Sequence, residues 1–238
     1  MNAVIIGASS GIGLAIAKRF HAGGATVHAV ARRTPQGPDD RRFHAHAVDA
    51  TDRNAVEDFL AQIAAAAPID VLVYAAGHNV PKRRVAECTP QDWDEIVRVN
   101  LDGAFYAVHA ALPSLRTSRG LVILIGSASA TWTNLSGAAY QASKAGLLAL
   151  ARAAAYEEHA DGVRFSTILP GVVDTPHLDR RPNPPGAAAR AKMLLPEDVA
   201  ETCWFLATLS PRAYIPELHL LPTVLQAPGK TQEAPTSS

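Results

Sequence analysis

Tyr140-Gln-Ala-Ser-Lys144 sets a phenol and an ammonium four residues apart in an Ala- and Leu-rich stretch. In a helix that separation puts both side chains on one face, one turn apart. A free tyrosine, with a pKa of about 10, is a poor acid–base group at neutral pH, and a neighbouring ammonium favours the phenolate and lowers that value. The phenol could then give a proton to a developing alkoxide, or accept one in the reverse direction. Taken alone, such a pair is more often an ordinary amphipathic pair, so its surroundings decide. Ser127 stands thirteen residues earlier, closing the apolar run Leu121–Gly126. Its hydroxyl could hold a substrate oxygen and the negative charge developing there. Ser129 competes for that role, and a serine that merely satisfies a strand-end backbone group would read the same way.

A second set of residues suits a phosphate rather than a proton. Gly7-Ala-Ser-Ser-Gly11-Ile-Gly13 lies between a β-branched run and a helical pattern. Glycines let the backbone turn tightly and approach a ligand, while a helix start offers unpaired N–H groups and a positive dipole end to a pyrophosphate. The spacing is G-x-x-x-G-x-G, not the G-x-G-x-x-G of the dinucleotide fingerprint. Alone it is a weak signal, because Gly and Ser fill many tight turns. Joined in order to Ser127, Tyr140 and Lys144, it resembles the short-chain dehydrogenase/reductase family, over about residues 3 to 221.

That resemblance implies a catalytic set of Tyr140, Lys144, Ser127 and Asn100, and the family spacing selects Ser127 over Ser129. It gives Asn100, in Val-Asn-Leu-Asp-Gly, a helix kink and a water that relays protons to Lys144, although a polar residue bonded to the local backbone would look identical. Lys144 would also grip the nicotinamide ribose, and the cofactor would rest on Gly7, Ser9, Ser10, Gly11, Ile12 and Gly13. Asp49 corresponds to a contact with the adenine amine, or is simply a loop turn; Ala76 and Gly77 would flank a ribose, and Val173 and Thr175 would meet the carboxamide.

Cofactor choice turns on the end of the second strand, where NAD-selective sites carry an acidic residue. Here that position is Ala31, followed by Arg32 and Arg33. A guanidinium pairs bidentately with phosphate, so Arg32 is expected on a 2′-phosphate, with Ser10 as a second donor and NADP(H) preferred over NAD(H). The resemblance then implies an oxidoreductase that reduces a ketone or aldehyde with NADPH, as a homodimer or homotetramer packed through its two long helices. Alcohol oxidation with NAD(P)+ by the same residues, or a non-catalytic NADP-sensing protein, are the alternatives. An intact Ser127, Tyr140 and Lys144 speaks against the sensor. Three departures from the family stand out. Its Asn-Asn-Ala-Gly is Tyr74-Ala75-Ala76-Gly77, Ile6 replaces a Thr, and Pro216-Glu-Leu-His-Leu-Leu-Pro222 replaces a Gly-rich ending. The bracing Asn side chain is therefore missing after the fourth strand.

The elements that must position these residues alternate between β-branched runs and Ala-rich helical stretches. That is the pattern of a Rossmann-type, doubly wound parallel sheet covered by helices. Strands are expected at 3–6, 25–31, 43–48, 70–75, 121–126, 163–169 and 215–221, in the order 3-2-1-4-5-6-7. Helices are expected at about 12–21, 52–66, 89–115, 139–159 and 196–209, with Asp52 and Thr89 as N-caps. The proline-dense stretch 176–195 breaks the rhythm and predicts a mobile substrate lid on one catalytic domain, residues 1–225; residues 226–238 predict a disordered tail. Trp132 could line the substrate pocket or anchor a loop, and Trp93 and Trp204 are expected to pack on helices. Arg180, Arg181, Arg190 and Lys192 within the insert hint at an acidic substrate, or make a solvated charged lid.

Composition narrows the partners. The 22 Lys plus Arg balance 22 Asp plus Glu, which argues against a basic nucleic-acid grip. Cys88 and Cys203 make no metal-type spacing and fit a reducing compartment. His44 and His46 share a strand face without a third ligand nearby, so no metal is expected. No apolar run approaches a membrane span, and Ala3–Ile6 reads as a strand rather than part of a leader. The expectation is a cytoplasmic protein acting on a small molecule.

Overall fold

A computed structural model of the chain describes residues 1–181 and 183–224; the expected tail lies outside them. The elements run β1 (Asn2–Ile6), α1 (Gly11–Ala22), β2 (Thr26–Ala31), β3 (Phe43–Ala47), α2 (Arg53–Ala66), β4 (Val71–Tyr74) and α3 (Pro90–Val97). After a π-helical turn at Arg98–Asp102 come α4 (Gly103–Ser118), β5 (Leu121–Ile125), α5 (Ala138–Glu158) and β6 (Arg164–Pro170). The short α6 (Ala187–Arg190), α7 (Pro196–Thr208) and β7 (Glu217–Leu220) complete the order. All seven strands pair in parallel as β3-β2-β1-β4-β5-β6-β7. This is the Rossmann-type arrangement expected from the sequence.

The strand period of two divides the core into two layers. Ala3 and Ile5 of β1 point with Val73, Ile123 and Ile168 toward Ile16 and Phe20 of α1 and Val199, Cys203 and Leu206 of α7. Val4 and Ile6 point the other way, with Leu72, Val122 and Leu124, onto Leu60 of α2, Ala107 and Leu115 of α4, and Leu147 and Ala151 of α5. Central strands thus bury both faces, which is why they read as unbroken apolar runs.

Local chemistry fixes where the helices begin. Asp52 accepts from the Ala55 amide, 3.1 Å, and Thr89 forms a reciprocal capping box with Asp92 behind Pro90. Pro113 sits within α4, which runs on to Ser118 rather than ending near residue 115. Trp204 meets Phe20 edge-on at 5.3 Å, but Trp93 is 43% exposed, so only one of the two is a packing residue.

The insert at 176–195 is less irregular than its prolines suggest. A 3-10 turn at Pro176–Arg180 and α6 gather Leu178 and Met193 into a small apolar cluster, and Arg190 pairs with Asp174 at 2.8 Å and with Asp179. On the opposite edge, parallel pairing brings His28 of β2 beside His44 and His46 of β3. His28 Nδ1 lies 3.1 Å from His46 Nε2, and the His28 and His44 rings stack at 5.0 Å. Among the described residues no His, Cys, Asp or Glu group has metal-holding geometry, and no helix is long and apolar enough to cross a membrane.

Candidate active site

A cleft of about 400 Å³ opens along the carboxyl edge of the sheet, walled by the segments that follow β1, β2, β4, β5 and β6. The strand order reverses between β1 and β4, and open α/β sheets bind ligands at such a switch point.

The glycine turn forms one end of the cleft. Gly7 has φ +96°, and a Cβ there would overlap the Ala76 backbone; a Cβ on Gly13 would overlap the Gly7 carbonyl. Gly13 therefore lets the turn close on itself, while Gly7 lets it pass the loop after β4. Ser10 occupies the N-cap of α1 without a side-chain bond to its own helix, so the first amides of α1 keep no internal cap. Ser9, Ser10, Gly11 and Ile12 all line the cleft, and Thr175 packs its methyl group against the position of Gly11. Such an open helix start beside crowded glycines fits a pyrophosphate.

Arg32 is exposed at the cleft, and among the described residues no carboxylate pairs with it. Ala31 beside it is nearly buried. Asp49 also lines the cleft, while its Oδ1 accepts from both the amide and the hydroxyl of Thr51, each at 2.9 Å. Ala76, Gly77 and Val173 complete this wall.

Toward the other end, Tyr140 projects from the first turn of α5 and its phenol hydrogen-bonds Ser127. Ser129, the competing serine, is instead tied into its loop. Its hydroxyl accepts from Asn134 Nδ2 at 2.7 Å and lies 3.2 Å from Ser136 Oγ. Lys144 is 3% exposed; its Nζ donates to the Ile125 carbonyl at 2.8 Å and lies 5.9 Å from the Tyr140 ring centre. The Cβ position of Gly77 lies 3.8 Å from both Lys144 Nζ and Asn100 Oδ1, which places this loop beside the two side chains.

Asn100 lies behind the cleft wall, fully buried within the π-helical turn. Its Oδ1 accepts from the His78 amide at 2.7 Å, and its Nδ2 donates to the His78 carbonyl at 3.0 Å and to Ser143 Oγ at 2.9 Å. Ser143 in turn donates to the Tyr140 carbonyl at 2.8 Å. Asn100 thus stitches the loop after β4 to the helix that carries Tyr140 and Lys144. The Asn missing from that loop has a counterpart of another kind. The buried Tyr74 phenol donates to the Val99 carbonyl at 2.6 Å, bracing the π turn directly, and Gly103 leaves the space that its hydroxyl fills.

The electrostatics differ from the simple expectation of a phenol tuned by Lys144. Burial raises the Tyr140 pKa above its ordinary value; the Ser127 bond and the charges of Arg181 and Arg83 act in the opposite sense. Burial lowers the Lys144 ammonium to about 8, while it donates a hydrogen bond to a backbone carbonyl. Arg83 escaped the reading of the sequence, although Pro81-Lys82-Arg83-Arg84 is a visible basic run. Trp132 does not line the cleft: its ring lies 4.6 Å from His219 of β7, as a loop anchor.

A parallel sheet with a glycine turn, a partly buried Tyr beside a buried Lys, and a serine at the edge is the architecture of a dinucleotide-dependent oxidoreductase. A family model for short chain dehydrogenases matches residues 1–184. The chain is 33% identical to a (3R)-3-hydroxyacyl-CoA dehydrogenase of Rattus norvegicus, over 87% of this chain and 88% of the relative. It is 29% identical to an NADP-dependent 3-hydroxy acid dehydrogenase, YdfG, of Escherichia coli K12, over 96% and 98%. The closed form of a serine dehydrogenase complexed with NADP+ superposes with a TM-score of 0.81 at 28% identity, over 92% and 94%. The chain belongs to the short-chain dehydrogenase/reductase family and is an oxidoreductase that uses a nicotinamide cofactor.

Proposed function

We propose that this protein reduces a ketone or aldehyde to the alcohol with NADPH. The arrangement that carries this reading is the Ser127–Tyr140 hydrogen bond with Lys144 one turn away on α5. When bound, the nicotinamide supplies the hydride. Ser127 holds the substrate oxygen, and Tyr140 gives it a proton. A phenol whose pKa is raised by burial keeps its proton at neutral pH, which favours the reductive direction over alcohol oxidation. Lys144 holds the nicotinamide ribose, and Asn100 keeps the loop after β4 and helix α5 in register.

The glycine turn with Ser9, Ser10 and Ile12 takes the pyrophosphate, Asp49 faces the adenine, and Ala76, Gly77, Val173 and Thr175 flank the nicotinamide half. Arg32 takes the 2′-phosphate, and this preference gains support from the NADP-dependent relative and the NADP+ complex. Residues 176–195 act as a lid, a reading supported by a relative that has a closed form with NADP+. Exposed Phe105 on α4 and Tyr156 on α5 support a homodimer or homotetramer through the two long helices.

Tyr140→Phe is expected to lower turnover at least about a hundredfold, the scale of a lost acid–base group, while cofactor binding survives. NADPH oxidation with a panel of carbonyl compounds, alongside fluorescence titration of the cofactor, measures both. Retained turnover in the variant refutes the mechanism.

A further inference from the structure

The cleft beyond Tyr140 is lined by basic side chains from two separate loops. Arg83 comes from the segment after β4, and His177, Arg180 and Arg181 from the turn after β6. Arg83 is held in place: its Nε donates to the Val80 carbonyl at 2.6 Å, and its own carbonyl packs against Gly137 at the start of α5. Gly137 accepts that contact with φ +91°, where a side chain would be strained. Arg181 is fixed by its amide, which donates to the Leu178 carbonyl at 3.1 Å. Both arginines are partly buried, and each acts on the charge of the other and of Tyr140.

Among the described residues neither Arg83 nor Arg181 pairs with a carboxylate. Asp174 and Asp179, the acids nearest in sequence to Arg181, are both engaged by Arg190. Glu95, the acidic residue of the cleft wall here, lies 3.4 Å from His78 Nε2. His177, buried among the arginines, is held neutral, with its pKa lowered to about 4, and supplies no counter-charge. Two neighbouring guanidiniums withdrawn from water without a partner are unfavourable, and a bound anion relieves both. Their planar forks match a carboxylate.

We infer that the substrate is a short oxo acid whose carboxylate lies within a few bonds of the reacting carbonyl and is seated on Arg83 and Arg181. This rests on the reductase reading above and names the substrate class of the same site. Both arginines line the cleft that holds Tyr140 and act on its charge, which keeps the carboxylate on the same side of the cleft as the reacting carbonyl. An acyl thioester of a nucleotide carrier keeps its phosphates at the far end of a long arm, away from the carbonyl.

The test compares pyruvate, acetoacetate and levulinate with their methyl esters, as kcat/KM with NADPH, in the wild type and in Arg83→Met/Arg181→Met. Within each pair hydride transfer and Tyr140 are shared, so any effect of the variant on the phenol cancels in the acid-to-ester ratio. The wild type is expected to favour at least one acid over its ester by about tenfold or more, and the double variant to lose that preference, the scale of a charge-assisted hydrogen bond. A wild type that turns over the esters as well as every acid overturns the inference and leaves the reductase reading standing. So does an acid-to-ester ratio that the double variant leaves unchanged. If neither acids nor esters are reduced, the reductase reading falls. Calorimetric titration of the NADP+-loaded protein with 3-hydroxybutyrate and its methyl ester then decides. Acid-selective binding lost in the double variant supports the carboxylate seat, and unselective or absent binding overturns it.

Discussion

Ala31 ends β2 and Arg32 follows it at the cleft, where the proposed function seats the 2′-phosphate of NADP(H). On that reading Ala31 offers neither a bond nor a repulsion, and Arg32, with Ser10 as a second donor, carries the discrimination. Arg32→Ala is expected to lower kcat/KM for NADPH by about tenfold or more while NADH changes little, as one charged hydrogen-bonded contact is lost. Adding Ala31→Asp is expected to move the preference to NADH. Kinetics with both cofactors in the three proteins check this, and equal losses for both would remove Arg32 from the phosphate. At this scale the sequence was informative where function needs fixed spacing, as in Tyr140, Lys144 and the glycine turn. It was silent where distant segments converge. Arg83 acts on the charge of Tyr140 across 57 positions of sequence, and Tyr74 reaches Val99 across 25. Neither contact leaves a local pattern.

Two elements behave differently from their appearance in sequence. Proline density marked 176–195 as an irregular, mobile insert; within it Arg190 ties α6 to Asp174 and Asp179. Such pairs at a partly exposed surface are weak enough to open and close. Hydrogen exchange across 176–195 is expected to slow at least about tenfold when NADP+ and product bind, the signature of a closing lid. Equal exchange in both states would deny it. The histidine face of β2 and β3 depends on register, which is why a third imidazole was not foreseen. Burial and the neighbouring His46 and His44 lower His28 to about 4, and burial lowers His46 as well. The unfolded chain binds protons near its ordinary value of 6.5, so stability is complete above that pH and declines as pH falls toward 4. Thermal melts between pH 7 and 4 are expected to show this fall, and His28→Gln is expected to flatten it. An unchanged slope in the variant would assign the fall to other groups.

For the molecule as a whole, the alternation of strands and helices made the parallel sheet and its order legible, because connections in such folds are short and right-handed. Which helix covers which face followed less directly. The layer over β1 is closed by α1 and α7 together, with Phe20 against Trp204 and Arg19 bound to Glu201 at 2.6 Å, 182 positions apart. A chain cut after Leu195 loses α7 and leaves Ile16 and Phe20 bare. Expressed that way, it is expected to sediment as aggregate while the full chain stays in the supernatant. A soluble, cooperatively melting 1–195 fragment would show that α7 is dispensable. The same joint has a meaning in time. During synthesis β1 and α1 emerge well before α7, whose Val199, Cys203 and Leu206 complete the cover of that layer. Until then that apolar face stays open to other surfaces, which is the condition under which a partly made chain aggregates.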